Sequence, residues 1–146
     1  FTFPNTVLAG QLIKTNASKV LSTVVLPFVV SDTDVSDGTN TITGNSVAQT
    51  FDTFAHATYR SAKYTIQISD ATANRFAVVD ASVTHDGTNA YISTTGGTSN
   101  GTGDGSTVYD PLEFTAIISG SDVRVRAKVN NTNSDVLKFV RRIIKV

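Results

Sequence analysis

A strict two-residue alternation constrains this chain more than anything else in it, and it is clearest from Tyr59 to Ser69. Ala62, Tyr64, Ile66 and Ile68 fall on one side of the pattern, and Ser61, Lys63, Thr65, Gln67 and Ser69 fall on the other. Side chains point to opposite faces at successive residues only in an extended strand, so this stretch reads as a strand with one buried face. Tyr and Ile fill a pleated surface well, and the small Ala62 leaves room for a facing side chain.

The same signature recurs downstream. Arg75 to His85 puts Val79, Ala81 and Val83 inward and Asp80, Ser82 and Thr84 outward. Val123 to Val129 puts Val123, Val125, Ala127 and Val129 inward against Arg124, Arg126 and Lys128. Pro111 to Ile118 and Val136 to Val146 read as further strands, the second with Leu137 and Phe139 in the core. Asp86-Gly87 lies between two such runs and supplies the positive φ that a hairpin needs, which places Tyr91 on a strand returning along Val79 to Thr84. Asp70 to Asn74, Ser119 to Asp122 and Asn130 to Asp135 are turns. In Val47 to Ala57 the residues Val47, Phe51 and Phe54 break the alternation, so a bulge is expected near Asp52 or Thr53.

Composition agrees. The 146 residues include 22 Thr and 14 Ser, and only 16% are charged. Long helices draw on Leu, Glu, Lys and Arg, whereas this balance suits strands and polar turns. The length suits one domain with a real core. Formal net charge is zero, which argues against nucleic acid as a partner. The basic C-terminal stretch of Lys138, Arg141, Arg142 and Lys145 alternates with apolar residues and reads as a solvated strand face. The longest apolar run, Val24 to Val30, is broken by Pro27 and is far shorter than the roughly 20 residues of a membrane-spanning helix. No cysteine is present, so stability comes from packing or assembly. The chain opens at Phe1 and contains no Met, which suggests a fragment or a processed chain.

The first part reads differently. Two short apolar pieces flank a polar turn at Lys14 to Lys19, giving a small hairpin or an extended arm over residues 1–22, ahead of a domain over 23–146. Val20 to Val30 is apolar on both faces and reads as a strand buried on two sides or crossing between subunits, with Pro27 marking a bend or an edge position. Ser31 to Gly44 reads as a loop. Its Asp32, Asp34 and Asp37 follow the spacing of a calcium loop, but Thr43 to Val47 offers no closing Glu, so a solvated acidic turn is expected instead. The sequons at Asn16 and Asn130 are incidental.

Little in the sequence carries chemistry. Glu113 is the single Glu, and His56 and His85 are the two His. No carboxylate pair, nucleophile with a base, or metal-ligand spacing is visible, so neither enzyme activity nor a cofactor is expected. The glycine-rich run Thr94 to Asp110 lacks a following Gly-Lys-Ser/Thr and helix, which leaves a flexible loop rather than a phosphate cradle. Tyr91 and Tyr109 at its base suit stacking on sugar rings. With Asn100 and Asp104 they are the candidate contacts for a host-surface glycan. Arg60 and Lys63 are read as a structural anchor and an outer-face charge.

Two resemblances extend this reading. Pro4, Gly10-Gln11-Leu12-Ile13-Lys14-Thr15-Asn16 and Val20-Leu21-Ser22 resemble one unit of the repeat in bacteriophage fibre shafts. Tyr59 to Tyr64, Val83 to Thr88 with Ala90-Tyr91, Phe114 to Ile118 with Ser119 to Arg124, and Lys138 to Arg141 resemble, in order and spacing, a β-domain of virion structural proteins from marine tailed phages that infect cyanobacteria. This second resemblance covers roughly residues 47–146. It implies a virion component without enzyme activity, usually in a fibre or appendage, whose partners are other virion proteins, and the shaft-like unit implies packing against copies of itself, most simply around a threefold axis. The expected fold is all-β, an antiparallel sandwich or jelly roll with an extended N-terminal arm. A capsid decoration protein and a carbohydrate-binding module are the alternative functions.

Overall fold

The computed structural model describes residues 11–15, 21–25, 32–44, 47–100, 112–129 and 132–146. The chain divides into two units, Phe1–Ser31 and Asp32–Val146. In the first, β1 (Gln11–Thr15) pairs antiparallel with β2 (Leu21–Val25) in a two-stranded sheet. This is the hairpin form of the two left open by the sequence. The remainder of the apolar run to Val30 lies outside the described residues.

The second unit is all-β and antiparallel. Its strands are β3 (Thr33–Ile42), β4 (Gln49–Ala55), β5 (Tyr59–Asp70), β6 (Arg75–His85), β7 (Ala90–Ser99), β8 (Leu112–Ser119), β9 (Asp122–Val129) and β10 (Asp135–Lys145). A five-stranded sheet has the order β3-β10-β5-β6-β7, and a three-stranded sheet has the order β4-β9-β8. The large sheet buries Ala62, Tyr64, Ile66 and Ile68 from β5, Ala77, Ala81 and Val83 from β6, and Leu137, Phe139 and Ile143 from β10. The small sheet meets them with Phe51, Phe54, Val123, Val125, Ala127 and Val129. The alternation read from the sequence on β5, β6, β9 and β10 is therefore the inward face of a sandwich.

Phe51 sits where the sheets meet. Its ring centroid lies 6.0 Å from Tyr64, 5.5 Å from Phe139 and 6.0 Å from Phe114, each pair edge-to-face, the arrangement that ring quadrupoles favour. It owes this position to the bulge. The β4–β9 register steps from Thr50↔Arg126 to Asp52↔Val125 and leaves Phe51 as the extra residue. Two residues then oppose one, so both Phe51 and Asp52 turn toward the large sheet, which plain alternation would forbid.

Asp52 is used there. Its Oδ2 accepts hydrogen bonds from Tyr64 Oη (2.8 Å) and Arg141 Nη1 (2.8 Å). Arg141 also donates to Ser36 Oγ (3.1 Å) and to the Thr53 carbonyl (3.1 Å). One ion pair thus ties β3, β4, β5 and β10 together. Burial, followed by the Asp52 charge, pushes the Tyr64 phenol well above its ordinary range, so it stays a donor.

Turn chemistry follows the sequence closely. Gly120, at φ 64, takes the first central position of the two-residue β8–β9 hairpin, where a II′ turn wants Gly. The β6–β7 hairpin forms as expected, but four residues close it. The Asp86 carboxylate accepts the backbone N–H groups of Thr88 (2.8 Å) and Asn89 (2.7 Å), and Gly87 takes φ 97.

Two expectations are corrected. Ser31 to Gly44 is not a loop, because Thr33–Ile42 forms edge strand β3 along β10. It reads as a loop because its inward residues are small and polar. Gly38 faces Phe139 so closely that a Cβ there would strike the ring, and the outward Asp37 is a residue of the kind that keeps an edge from pairing further. Asp34 and Asp37 therefore lie along an extended strand rather than converging on a cation, and Asp34 accepts the Tyr59 hydroxyl instead (2.6 Å). The second correction concerns Thr94 to Asp110. Strand β7 continues to Ser99 along β6 through a register shift opposite Val79 and Asp80, since Gly96-Gly97 bends a strand as readily as it opens a loop.

Candidate functional site

The outward face of the five-stranded sheet is built in five rows, because the registers of β3, β10, β5, β6 and β7 align residue by residue. The first row is Thr33, Ile144, Ser61, Thr84 and Tyr91, and the second is Val35, Arg142, Lys63, Ser82 and Ser93. The third is Asp37, Val140, Thr65, Asp80 and Thr95. Below them, β10, β5 and β6 contribute Lys138, Gln67 and Val78, then Val136, Ser69 and Phe76. Exposed large apolar side chains gather here: Val35, Phe76, Val78, Tyr91, Val140 and Ile144 all lie on this face.

The first two rows form a groove of about 410 Å³ lined by Ser61, Lys63, Ser82, Thr84, Ser93 and their taller neighbours. It exists because short hydroxyl side chains on β5 and β6 lie between Ile144 on one side and Tyr91 on the other. Tyr91 is 53% exposed and its hydroxyl donates to Asp86 Oδ2 (3.0 Å). That bond fixes the ring at the rim and holds the phenol above its ordinary titration range.

Lys63 and Arg142 stand directly opposite one another on β5 and β10. Like charges in that position repel. Neither makes a hydrogen bond or ion pair among the described residues, in contrast to Lys128 with Glu113 and Arg141 with Asp52. In the adjoining row Asp80 accepts Thr65 Oγ1 (2.7 Å) and Asp37 stands on β3 diagonal to Arg142, while Asp86 in the β6–β7 turn holds that turn and Tyr91.

Of the four residues expected at a glycan surface, Tyr91 and Asn100 are among the described residues. Tyr91 is the second residue of β7 and Asn100 follows the strand's end, so a span of nine residues, roughly 30 Å at strand rise, separates them. Asn100 is tied down locally: its Oδ1 accepts Phe76 N–H (2.7 Å) and its Nδ2 donates to the Asn74 carbonyl (2.9 Å). Asp104 and Tyr109 lie outside the described residues. Sequence reasoning marked Lys63 and Arg142 as outward charges but did not place them side by side, because no short-range signal announces that β10 pairs with β5.

The two histidines have structural surroundings. His85 is buried; its Nε2 lies 2.6 Å from the Tyr59 carbonyl oxygen, and its Nδ1 accepts Gly87 N–H (3.1 Å). That pairing requires the Nε2–H tautomer. His56 packs edge-on against it at 5.9 Å. Arg60 donates to the His85 carbonyl (3.3 Å), as an anchor of β5 to β6.

No protein-family model matches the chain, and no curated protein matches it. Among solved structures it is similar to the tailspike protein of Acinetobacter baumannii phage AM24, at 12% identity and a TM-score of 0.47, over 78% of this chain and 26% of that one. It is also similar to tailspike gp49 of A. baumannii bacteriophage Fri1, described as a capsular polysaccharide depolymerase, at 14% identity and a TM-score of 0.42, over 96% of this chain and 22% of that one. A third is the tailspike of Acinetobacter phage vB_ApiP_P1, at 22% identity and a TM-score of 0.37, over 86% of this chain and 23% of that one. The likeness is loose, and the chain spans about a quarter of the length of these proteins.

Proposed function

We propose that this chain is a structural and adhesive module of a bacteriophage virion, carried on a tail or neck fibre or another appendage. The observation that carries the proposal is the outward face of the five-stranded sheet. Five strands about 4.8 Å apart and some ten residues long present roughly 800 Å², close to the ~800 Å² that each partner contributes to a standard protein interface. Val35, Val78, Val140, Ile144, Phe76 and Tyr91 stand on it in contact with solvent among polar side chains, and a face of that area carrying six exposed large apolar side chains suits a contact site.

The resemblance of residues 47–146 to a virion β-domain and of the first unit to a shaft repeat supports the same reading. Stability would come from two packed sheets and from association of copies, three in the simplest arrangement, without disulfides. The reading assigns no catalysis: Asp52, Arg141 and Tyr64 are committed to one another, and His85 to backbone groups. Other virion proteins and a host-surface glycan are the partners it implies.

Gold-labelled antibody against the domain, applied to intact particles, tests the proposal. Label confined to tail or neck supports it. Label spread over the head would identify a capsid decoration protein instead.

A further inference from the structure

We infer that the groove between Ile144 and Tyr91 binds an acidic sugar, with the carboxylate on Lys63 and Arg142 and the adjoining ring on Tyr91. The inference names the ligand of the adhesive surface proposed above, and rests on that reading only for the biological source of the sugar.

Three features of the groove converge. The first is its charge. Lys63 and Arg142 are register partners with no carboxylate in their own row, and like charges placed directly opposite cost stability that an anion between them would relieve. A guanidinium beside an ammonium can grip a carboxylate through several charge-assisted hydrogen bonds. The second is the floor. Ser61, Ser82 and Ser93 offer hydroxyl donors and acceptors at strand spacing, and Thr84, whose hydroxyl donates to the Arg60 carbonyl (3.4 Å), offers an acceptor, which suits a ligand rich in hydroxyls. The third is the wall. Tyr91 presents a fixed aromatic ring, with its hydroxyl occupied by Asp86, so the ring face is left for sugar C–H groups.

Size and spacing agree. A volume of about 410 Å³ falls within the few hundred to a thousand Å³ of small-ligand sites. Lys63 on β5 and Tyr91 on β7 are two strand spacings apart, roughly 10 Å, the reach of two linked pyranoses. The geometry disfavours a polyphosphate chain. Only two cations meet here, Asp80 and Asp37 occupy the next row, and the chain carries no net charge, whereas nucleic-acid grooves track the backbone with a run of positive charge.

The test uses the whole chain, labelled with ¹⁵N, titrated with tetragalacturonate, a hyaluronan tetrasaccharide and sialyllactose. Methyl-esterified tetragalacturonate and lactose serve as neutral counterparts, and an eight-residue oligothymidylate as a polyphosphate. At least one acidic sugar is expected to bind saturably, shifting amides of Ser61, Lys63, Ser82, Ser93 and Tyr91, and at least tenfold more tightly than its neutral counterpart. The double variant Lys63→Gln/Arg142→Gln should lose that tenfold while melting at the same temperature or higher, because it also removes a repulsive pair. Tyr91→Ala should weaken binding several-fold with the charge preference intact.

Equal binding of acidic and neutral sugars would overturn the inference. So would no saturable binding of any acidic sugar, shifts confined to another face, undiminished affinity in the double variant, or equally tight binding of the oligothymidylate. Tail labelling without sugar binding overturns this inference alone. Sugar binding with label on the head overturns only the appendage reading.

Discussion

Replacing Asp52 should reveal how much of the sandwich depends on one carboxylate. Asp52 accepts two hydrogen bonds across the sheets, from Tyr64 and Arg141 at 2.8 Å each, and the Arg141 and Asp52 side chains keep only 18% and 15% of their exposure. Removing one partner of a buried pair costs about 3–5 kcal/mol. Because water still reaches this pair, and Arg141 keeps Ser36 and Thr53, the lower end applies, so Asp52→Ala should cost about 3 kcal/mol. Tyr64→Phe deletes one bond to a charged acceptor and leaves the ion pair standing, for about 1.5 kcal/mol. Once Asp52 is gone the Tyr64 hydroxyl has lost its acceptor, so the double variant should be no worse than Asp52→Ala. The coupling is then about 1.5 kcal/mol, within the range for residues that share one network. Equilibrium urea unfolding reads all four corners of the cycle. With an m-value of about 1.5 kcal/mol/M, Asp52→Ala should move the midpoint down by roughly 2 M. Additive losses with coupling below about 0.5 kcal/mol, or an Asp52→Ala cost under about 1 kcal/mol, would show that the sheets are held by packing and that the bulge merely tolerates a polar residue.

Packing itself is tested at Phe51, which touches three aromatic rings. Phe51→Ala should cost about 3–5 kcal/mol in the same assay, and a cost below about 1.5 kcal/mol would mean that the sheets close over the gap. Gly38→Val should destabilise by more than about 1 kcal/mol, because the first added carbon meets the Phe139 ring; an unchanged melting temperature would contradict that close approach. In the β6–β7 turn, backbone N–H groups of Asn89 and Thr88 hold the Asp86 carboxyl down at about 2. A depressed folded-state value adds stability that is fully present above the ordinary carboxylate range and lost as pH falls toward 2, which NMR titration of the Asp86 side chain follows. Asp86→Asn should also bring the raised Tyr91 phenol back toward 10, and a Tyr91 titration unmoved by that change would separate the two groups.

Strands that alternate cleanly were legible because each has one buried and one wet face, so β5, β6, β9 and β10 could be read from single residues. The bulge in β4 was legible too, since Phe51 and Phe54 are both bulky yet fall on opposite phases of the alternation. Strand β3 was hidden for the opposite reason. An edge strand packs against one neighbour only, and Gly38 turns inward where a larger side chain would collide with Phe139, so it has the composition of a loop. Which strands pair across the sequence was not readable. The contact of β10 with both β3 and β5 is set by the closing of two sheets, and no local residue encodes it. The candidate site shared that fate. Tyr91 was visible as an exposed aromatic beside a turn, but the groove needs Lys63, Ser82, Tyr91 and Arg142 from four strands, and Arg142 reaches it only through that long-range pairing.

A density map of the intact particle tests the central claim most directly. The expected result places this domain in a tail or neck appendage, with the groove between Ile144 and Tyr91 open to solvent and the lower rows of the same sheet face near neighbouring chains. Density for the domain on the head lattice, or a domain held only through its three-stranded sheet with the five-stranded face contacting nothing, would contradict it.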